Sequence, residues 1–143
     1  METRPSIAKS DHKRSAGHRS EQSACELLLS KGYQIVARNV RFKAGEIDII
    51  AKDGSILCFI EVRSRENSRF LNPKASVHQL KQKKIIKAAS LYLQKHYLRF
   101  PICRFDVISI IGYGPLQEIE LIQNAFEMTS SPCRRNQSPW QAF

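Results

Sequence analysis

Apolar positions along the chain change period several times, and each change marks an element. From Asp11 or His12 to Lys31, the residues Ala16, Ala24, Leu27 and Leu28 give one apolar side at helical spacing, and Gly32 supplies a stop, which predicts a first helix. Tyr33 to Phe42 alternates loosely, with Ile35 and Ala37 on one parity and Val36, Val40 and Phe42 on the other, as a strand does. Two β-branched runs, ending near Ile50 and beginning near Ile56, are joined through Asp53-Gly54 and read as a β-hairpin. Short connections favour antiparallel neighbours, so residues 33–63 form a three-stranded meander. After a polar loop, Ser76-Val77-His78-Gln79 fits a capping box that opens a second helix. Its apolar stripe runs through Leu80, Ile85, Ala88, Ala89, Tyr92 and Leu93 to about Tyr97. Pro101 punctuates, Ile102 to Ile111 is a strand, Gly112-Tyr113-Gly114-Pro115 is a turn, and Leu116 to Ile122 is the last strand.

Acids interrupt the hairpin. With a turn at residues 53 and 54, Asp48 pairs with Phe59 and Glu46 with Glu61, and Glu46, Asp48, Glu61 and Arg63 share one face. Like charges directly opposed destabilise a sheet. The run Ile56-Leu57-Cys58-Phe59-Ile60 is apolar on both parities, so that strand is covered on both faces and Glu61 at its end is costly without a positive partner. A hard divalent cation such as Mg²⁺, held by one or two carboxylates with water and phosphate oxygens, suits these acids better than zinc does. A polar hairpin face in water satisfies the same spacing, and spacing alone leaves both readings open.

Other charged residues have similar double readings. Glu21 shares a face with Ala24 and Cys25, either as part of a site or as a marginal acid that reaches water. Lys81 and Lys84 lie on the flank of Val77, Leu80 and Ala88. They are amphipathic stems at a boundary, or they point toward a bound phosphate or the acids. From Ser64 to Lys74 the chain is polar and reads as a mobile loop, whose Arg65 and Arg69 suit phosphate contact or simple solvation.

Composition sharpens the partner. The 143 residues suffice for one domain with a real core, from about residue 11 to 126, preceded by a flexible basic arm at 1–10 and followed by a weakly attached tail at 127–143. The chain has 23 Lys and Arg against 13 Asp and Glu, a net charge of +10. That excess favours a polyanionic partner, nucleic acid before a membrane surface. No apolar run is long enough to span a membrane, and the N-terminus lacks the apolar core of a secretory signal. Cys25, Cys58, Cys103 and Cys133 are far apart and form no close metal or redox pair, as expected of reduced thiols in a cytoplasmic protein.

The element order and four motifs carry a resemblance. The order helix, three strands, helix, strand is similar to the αβββαβ core of PD-(D/E)XK, restriction endonuclease-like proteins, an α/β fold with a mixed central sheet flanked by helices. Gly17-x-x-x-Glu21-x-x-Ala24, Gly45-Glu46-Ile47-Asp48-Ile49-Ile50-Ala51, Phe59-Ile60-Glu61-Val62-Arg63-x-Arg65 and Arg104-Phe105-Asp106-Val107 resemble the signatures of the YraN family of small bacterial proteins. The resemblance implies a site in which Asp48 and Glu61 are metal-binding acids, Glu21 completes the set and the carbonyl of Val62 is a further ligand. Mg²⁺ or Mn²⁺ is the implied cofactor. The implied activity is a metal-dependent endonuclease acting on DNA phosphodiester bonds, structure-directed in the manner of Holliday junction resolvases, for which a symmetric homodimer is the simplest arrangement.

One position departs from that pattern. Arg63 stands where the superfamily motif has lysine, and a guanidinium binds phosphate but does not accept a proton from water. Lys81 or Lys84 then takes the lysine's place, with Arg63, Arg65 and Arg69 contacting nucleic acid. The alternative is a non-catalytic nucleic-acid-binding protein on the same fold. A third is an interaction module whose basic surface meets an acidic protein.

Overall fold

A computed structural model describes residues 8–66 and 78–127, with the side chains of the first helix described from Gly17 onward. Helix α1 spans Ala8–Ser30. It closes in a Schellman motif: Gly32, at φ +85°, donates to the Leu29 carbonyl at 3.1 Å, and the Tyr33 N–H donates to the Leu28 carbonyl at 3.0 Å. The strands follow as β1 (Gln34–Phe42), β2 (Gly45–Asp53) and β3 (Ile56–Arg65). Next come α2 (Gln79–His96), β4 (Cys103–Ile111), a single 3-10 turn at Gly114–Leu116, and β5 (Glu118–Phe126). This is the αβββαβ order of a restriction endonuclease-like core, extended by β5.

The strands lie in the order β1-β2-β3-β4-β5. All neighbours are antiparallel except β3 and β4, which run parallel and are joined through α2, as a parallel pair requires. One face of the sheet presents Ile47, Ile50, Leu57, Phe59, Phe105 and Val107 to Ile85, Ala88, Ala89, Tyr92 and Leu93 of α2. The other presents Ile49, Ala51, Cys58, Ile60, Ile108 and Ile110 to Ala24, Cys25 and Leu28 of α1. Covering both faces explains why β3 is apolar on both parities. The backbone of α2 rests directly on β2. A Cβ placed on Gly45 would meet the Lys84 carbonyl oxygen at 2.6 Å, so glycine sets how closely the helix approaches.

The structure corrects the expected hairpin register. The ladder pairs Asp53 with Ile56, Ile50 with Phe59 and Ile49 with Ile60, so the turn is Gly54-Ser55 and not Asp53-Gly54. Gly54 has φ +60° at the first central position, where a type II′ turn needs glycine. The pairing moves by two residues. Parity survives the move, but Glu61 now approaches Asp48 instead of Glu46.

Three smaller differences are local. The N-cap of α2 is His78, which makes no side-chain cap hydrogen bond, and the expected Ser76 lies outside the described residues. Helix α1 begins earlier than its apolar pattern. Strand β5 starts later than Leu116 and continues to Phe126 through an irregularity opposite Phe105 and Val107, where Asn124 adopts φ +51°. The expected tail and most of the expected arm lie outside the described residues.

Candidate active site

The site begins with a fault in strand alternation. Ile47 and Ile49 are two residues apart in β2, yet Ile47 packs on the α2 side and Ile49 on the α1 side. The alternation therefore slips at Asp48. Across the β1 ladder, Val40 pairs with Ile47 and Arg38 with Ile49, and Asn39 between them takes φ +51°. Asparagine tolerates that left-handed conformation better than most residues. On the other side, the ladder to β3 runs only as far as Ile49 and Ile60. Beyond it the Asp48 Oδ2 accepts the Val62 N–H at 2.8 Å. The carboxylate thus lies along the sheet, in the gap between β2 and β3.

Glu61 closes this gap and is 5% exposed. Its Oε1 is 3.6 Å from the Lys81 Nζ and 3.7 Å from the Arg63 Nε. Its Oε2 is buried and makes no hydrogen bond to a donor among the described residues. Burial pushes the Glu61 carboxyl up to about 8, the Asp48 charge beside it adds to the rise, and Lys81 and Arg63 offset part of it. Asp48 is also raised, by burial first, while the Val62 N–H pulls it back. The nearness of the Asp48 side chain also favours the protonated form of Glu61. Two carboxyls in contact that cannot both ionise cheaply form a place for one added positive charge, a proton or a cation.

The other expected residues divide clearly. Lys81 does reach Glu61 from α2. Lys84 is exposed, and it meets the sheet at Gly45 with its backbone and Cβ. Glu21 is half-buried on α1 and near enough to raise Asp48 through charge repulsion. Among the described residues, no group of three or more His, Cys, Asp and Glu side chains stands close enough to hold a metal. Glu46 leaves the site to pair with Arg41 at 3.7 Å, in solvent. Arg63 is half-buried, and its Nε makes no hydrogen bond among the described residues. Arg65 is not in the loop as expected: β3 continues through it, it is partly buried, and its carbonyl accepts the Gly112 N–H at 2.8 Å. Arg69 lies outside the described residues.

A second buried polar cluster escaped the sequence reading. Asp106 is fully buried, and Arg104 grips it with two hydrogen bonds, Nε to Oδ1 at 2.8 Å and Nη2 to Oδ2 at 2.9 Å. The same Nη2 lies 3.1 Å from Asp53 and 2.8 Å from the Tyr33 hydroxyl, which also accepts a hydrogen bond from Gln123 at 2.7 Å. The Asn124 N–H reaches Asp106 Oδ1 at 2.9 Å. An Arg-x-Asp pair on one parity of an apolar strand was the available signal. Cys25 and Cys58 are buried free thiols and Cys103 is half-buried; burial pushes Cys58 and Cys103 up to about 12, which leaves them inert as nucleophiles.

Fold and site together define a mixed α/β protein with a restriction endonuclease-like core order and a buried acid pair between two central strands. A sequence profile of the Uncharacterised protein family UPF0102 matches residues 20–110, and the chain belongs to that family, the one its YraN signatures indicated. The UPF0102 protein of Symbiobacterium thermophilum is 46% identical over 114 residues, covering 79% of this chain and 97% of its own. A UPF0102 protein of Coxiella burnetii is 45% identical over 113 residues, covering 78% and 92%. That of Chlorobium limicola reaches 51% over 98 residues, 68% of this chain and 76% of its own. Among the described residues no helix is long and apolar enough to cross a membrane.

Proposed function

We propose that this protein is a divalent-cation-dependent phosphodiester hydrolase of the PD-(D/E)XK type that acts on DNA. The observation that carries the reading is the buried Glu61 beside Asp48, where the β2–β3 ladder stops, with Glu61 Oε2 lacking a hydrogen-bond donor among the described residues. Asp48 and Glu61 would hold Mg²⁺ or Mn²⁺, with the Val62 carbonyl and Glu21 at the margin, and a hard cation accepts such a sparse protein set because water and phosphate oxygens fill its shell. Bound there, the cation would polarise the phosphodiester and lower the pKa of a water.

The chain's own residues have distinct parts. Lys81 and Arg63 stand beside Glu61 and place two positive charges where the charge of a phosphodiester develops on attack. Arg63 stays protonated and stabilises charge, whereas Lys81 can also exchange a proton. Lys81 therefore fills the part that lysine has in the superfamily motif, and Lys84, exposed to solvent, is left to contact substrate further out. The net charge of +10 supports a polyanion.

The test is cleavage of end-labelled duplex, flap and four-way-junction DNA with Mg²⁺ or Mn²⁺. Wild type should cut, and Asp48→Ala or Glu61→Ala should lose roughly a hundredfold or more in rate, the scale of losing one preorganised electrostatic contact. Wild type that binds but never cuts would instead support the second reading, a non-catalytic nucleic-acid-binding protein. That reading has its own observation: Lys81 and Arg63 already compensate Glu61.

A further inference from the structure

The acid pair lies in the sheet between its two faces, and the basic groups already assigned to it, Lys81 and Arg63, belong to the α2 side, since Arg63 and Glu61 share the parity of Phe59. On the α1 side one cation remains unexplained. Arg38 pairs with Ile49, next to the Asp48 fault, and directly opposed residues project to the same face. Ile49 faces α1, so Arg38 does also. Its Nη1 donates to the Gln22 side chain of α1 at 3.4 Å, and its Nε and Nη2 are buried without a hydrogen bond among the described residues. No ion pair involves it among the described residues.

An unpartnered guanidinium differs in kind from an unpartnered carboxyl. Glu61 can take up a proton and become neutral, but arginine remains charged at any ordinary pH. An added acceptor relieves its open N–H groups, and an anion offsets its charge as well. Of the acids nearby, Glu26 accepts from Gln22 at 3.4 Å, and neither Glu21 nor Glu26 forms an ion pair with Arg38 among the described residues. The donors left open on Arg38 are the parallel Nε and Nη2 edge, which fits two oxygens of one phosphate. Its one hydrogen bond among the described residues, to Gln22 at 3.4 Å, is near the limit of hydrogen bonding and holds the side chain weakly; phosphate binding requires that the buried edge turn outward. Arg19, Arg41 and Lys43 are exposed on α1 and along the same edge of the sheet, giving a polyanion a continuing basic surface.

We infer that Arg38 binds a second backbone phosphate of the nucleic-acid strand, on the α1 face, while Lys81 and Arg63 serve the phosphate at the acid pair from the α2 face. The strand then crosses the sheet at Asp48 and is held on both sides of the bond to be cut. This inference rests on the hydrolase reading only in taking nucleic acid as the ligand.

The experiment is fluorescence anisotropy of a labelled DNA duplex over a salt series, in EDTA, with wild type, Arg38→Ala, Arg38→Lys and Lys95→Ala. Lys95 is exposed in the last turn of α2, about 20 Å along the helix from Lys81, and controls for the loss of one charge. Arg38→Ala should weaken binding about tenfold, uniformly across sequences, and lower the slope of log affinity against log salt by about 1. Arg38→Lys should restore the slope but not all the affinity, and it remains informative if the alanine variant unfolds. A wild-type slope in both Arg38 variants would overturn the inference while leaving the hydrolase reading intact. So would an equal drop in melting temperature for Arg38→Ala and Glu21→Gln with unchanged binding, because Glu21 would then be the anion. If wild type binds no DNA at any salt, this inference and the hydrolase reading fail together.

Discussion

Two aspartates set into the sheet, Asp106 buried and Asp48 half-buried, occupy related settings and come to opposite ends. Asp48 and Asp106 each sit at an irregularity in a strand pair, each accepts a backbone N–H at 2.8 or 2.9 Å, and each irregularity includes an asparagine at φ +51°. Asp106 then receives a two-pronged guanidinium, and Tyr33, Asp53 and Gln123 complete that guanidinium's surroundings. Asp48 receives another acid. The first carboxylate is saturated and can only hold the fold together. The second has unspent capacity for a cation, which is what a site requires. A buried acid in a strand is thus not a functional signal in itself; its partners decide.

Three perturbations should separate the two regions, in decreasing size. Asp106→Ala leaves Arg104 buried with much of its pairing gone, and should cost about 3–5 kcal/mol in urea unfolding. A loss under 1 kcal/mol there would erase the contrast, because it would mean that the network tolerates what a saturated ion pair cannot. Gly45→Ala should cost about 1–3 kcal/mol by forcing α2 away from β2, and should also weaken the hold of Lys81 on Glu61. A crystal structure of the variant with the Lys81–Glu61 distance unchanged would dissociate helix placement from the site.

The smallest effect is in pH. Asp48 and Glu61 both titrate higher in the folded chain than they would unfolded. Their ionisation therefore opposes folding: their full contribution to stability is present below the ordinary carboxylate range, and it is lost as pH rises toward about 8. In EDTA the melting temperature of wild type minus that of Glu61→Gln should fall across that window, by roughly 5 °C for each kcal/mol involved. Adding Mg²⁺ should shrink the fall. A difference that is flat with pH would show that the acid pair is not strained.

The fold was legible in the sequence because each helix and strand keeps enough of its apolar pattern to be placed, and a pattern tolerates errors at its ends. Register was less so. Asp53-Gly54 and Gly54-Ser55 are both acceptable turns, and nothing local chooses between them. The choice moved Glu61 from Glu46 to Asp48, yet an even shift preserved the parity that brought the acids together. The slip at Asp48 has no mark in its own strand; its nearest trace is Asn39, a residue that accepts positive φ, in the strand beside it. The Arg104 network draws on Tyr33, Asp53, Asp106 and Gln123 from separate parts of the chain, and such closure is a property of the assembled sheet. Arg38 was passed over for a similar reason, as an ordinary polar position in a loosely alternating strand.

The hydrogen bond from Val62 to Asp48 turns the site into its own spectroscopic probe. Elsewhere in the central ladder a backbone amide faces a neutral carbonyl, but this one faces a carboxylate whose charge changes with protonation and with any cation it binds. In ¹⁵N-labelled protein, the Val62 cross-peak should therefore follow the charge state of the acid pair residue by residue, with no substrate present and without any substitution in the chain.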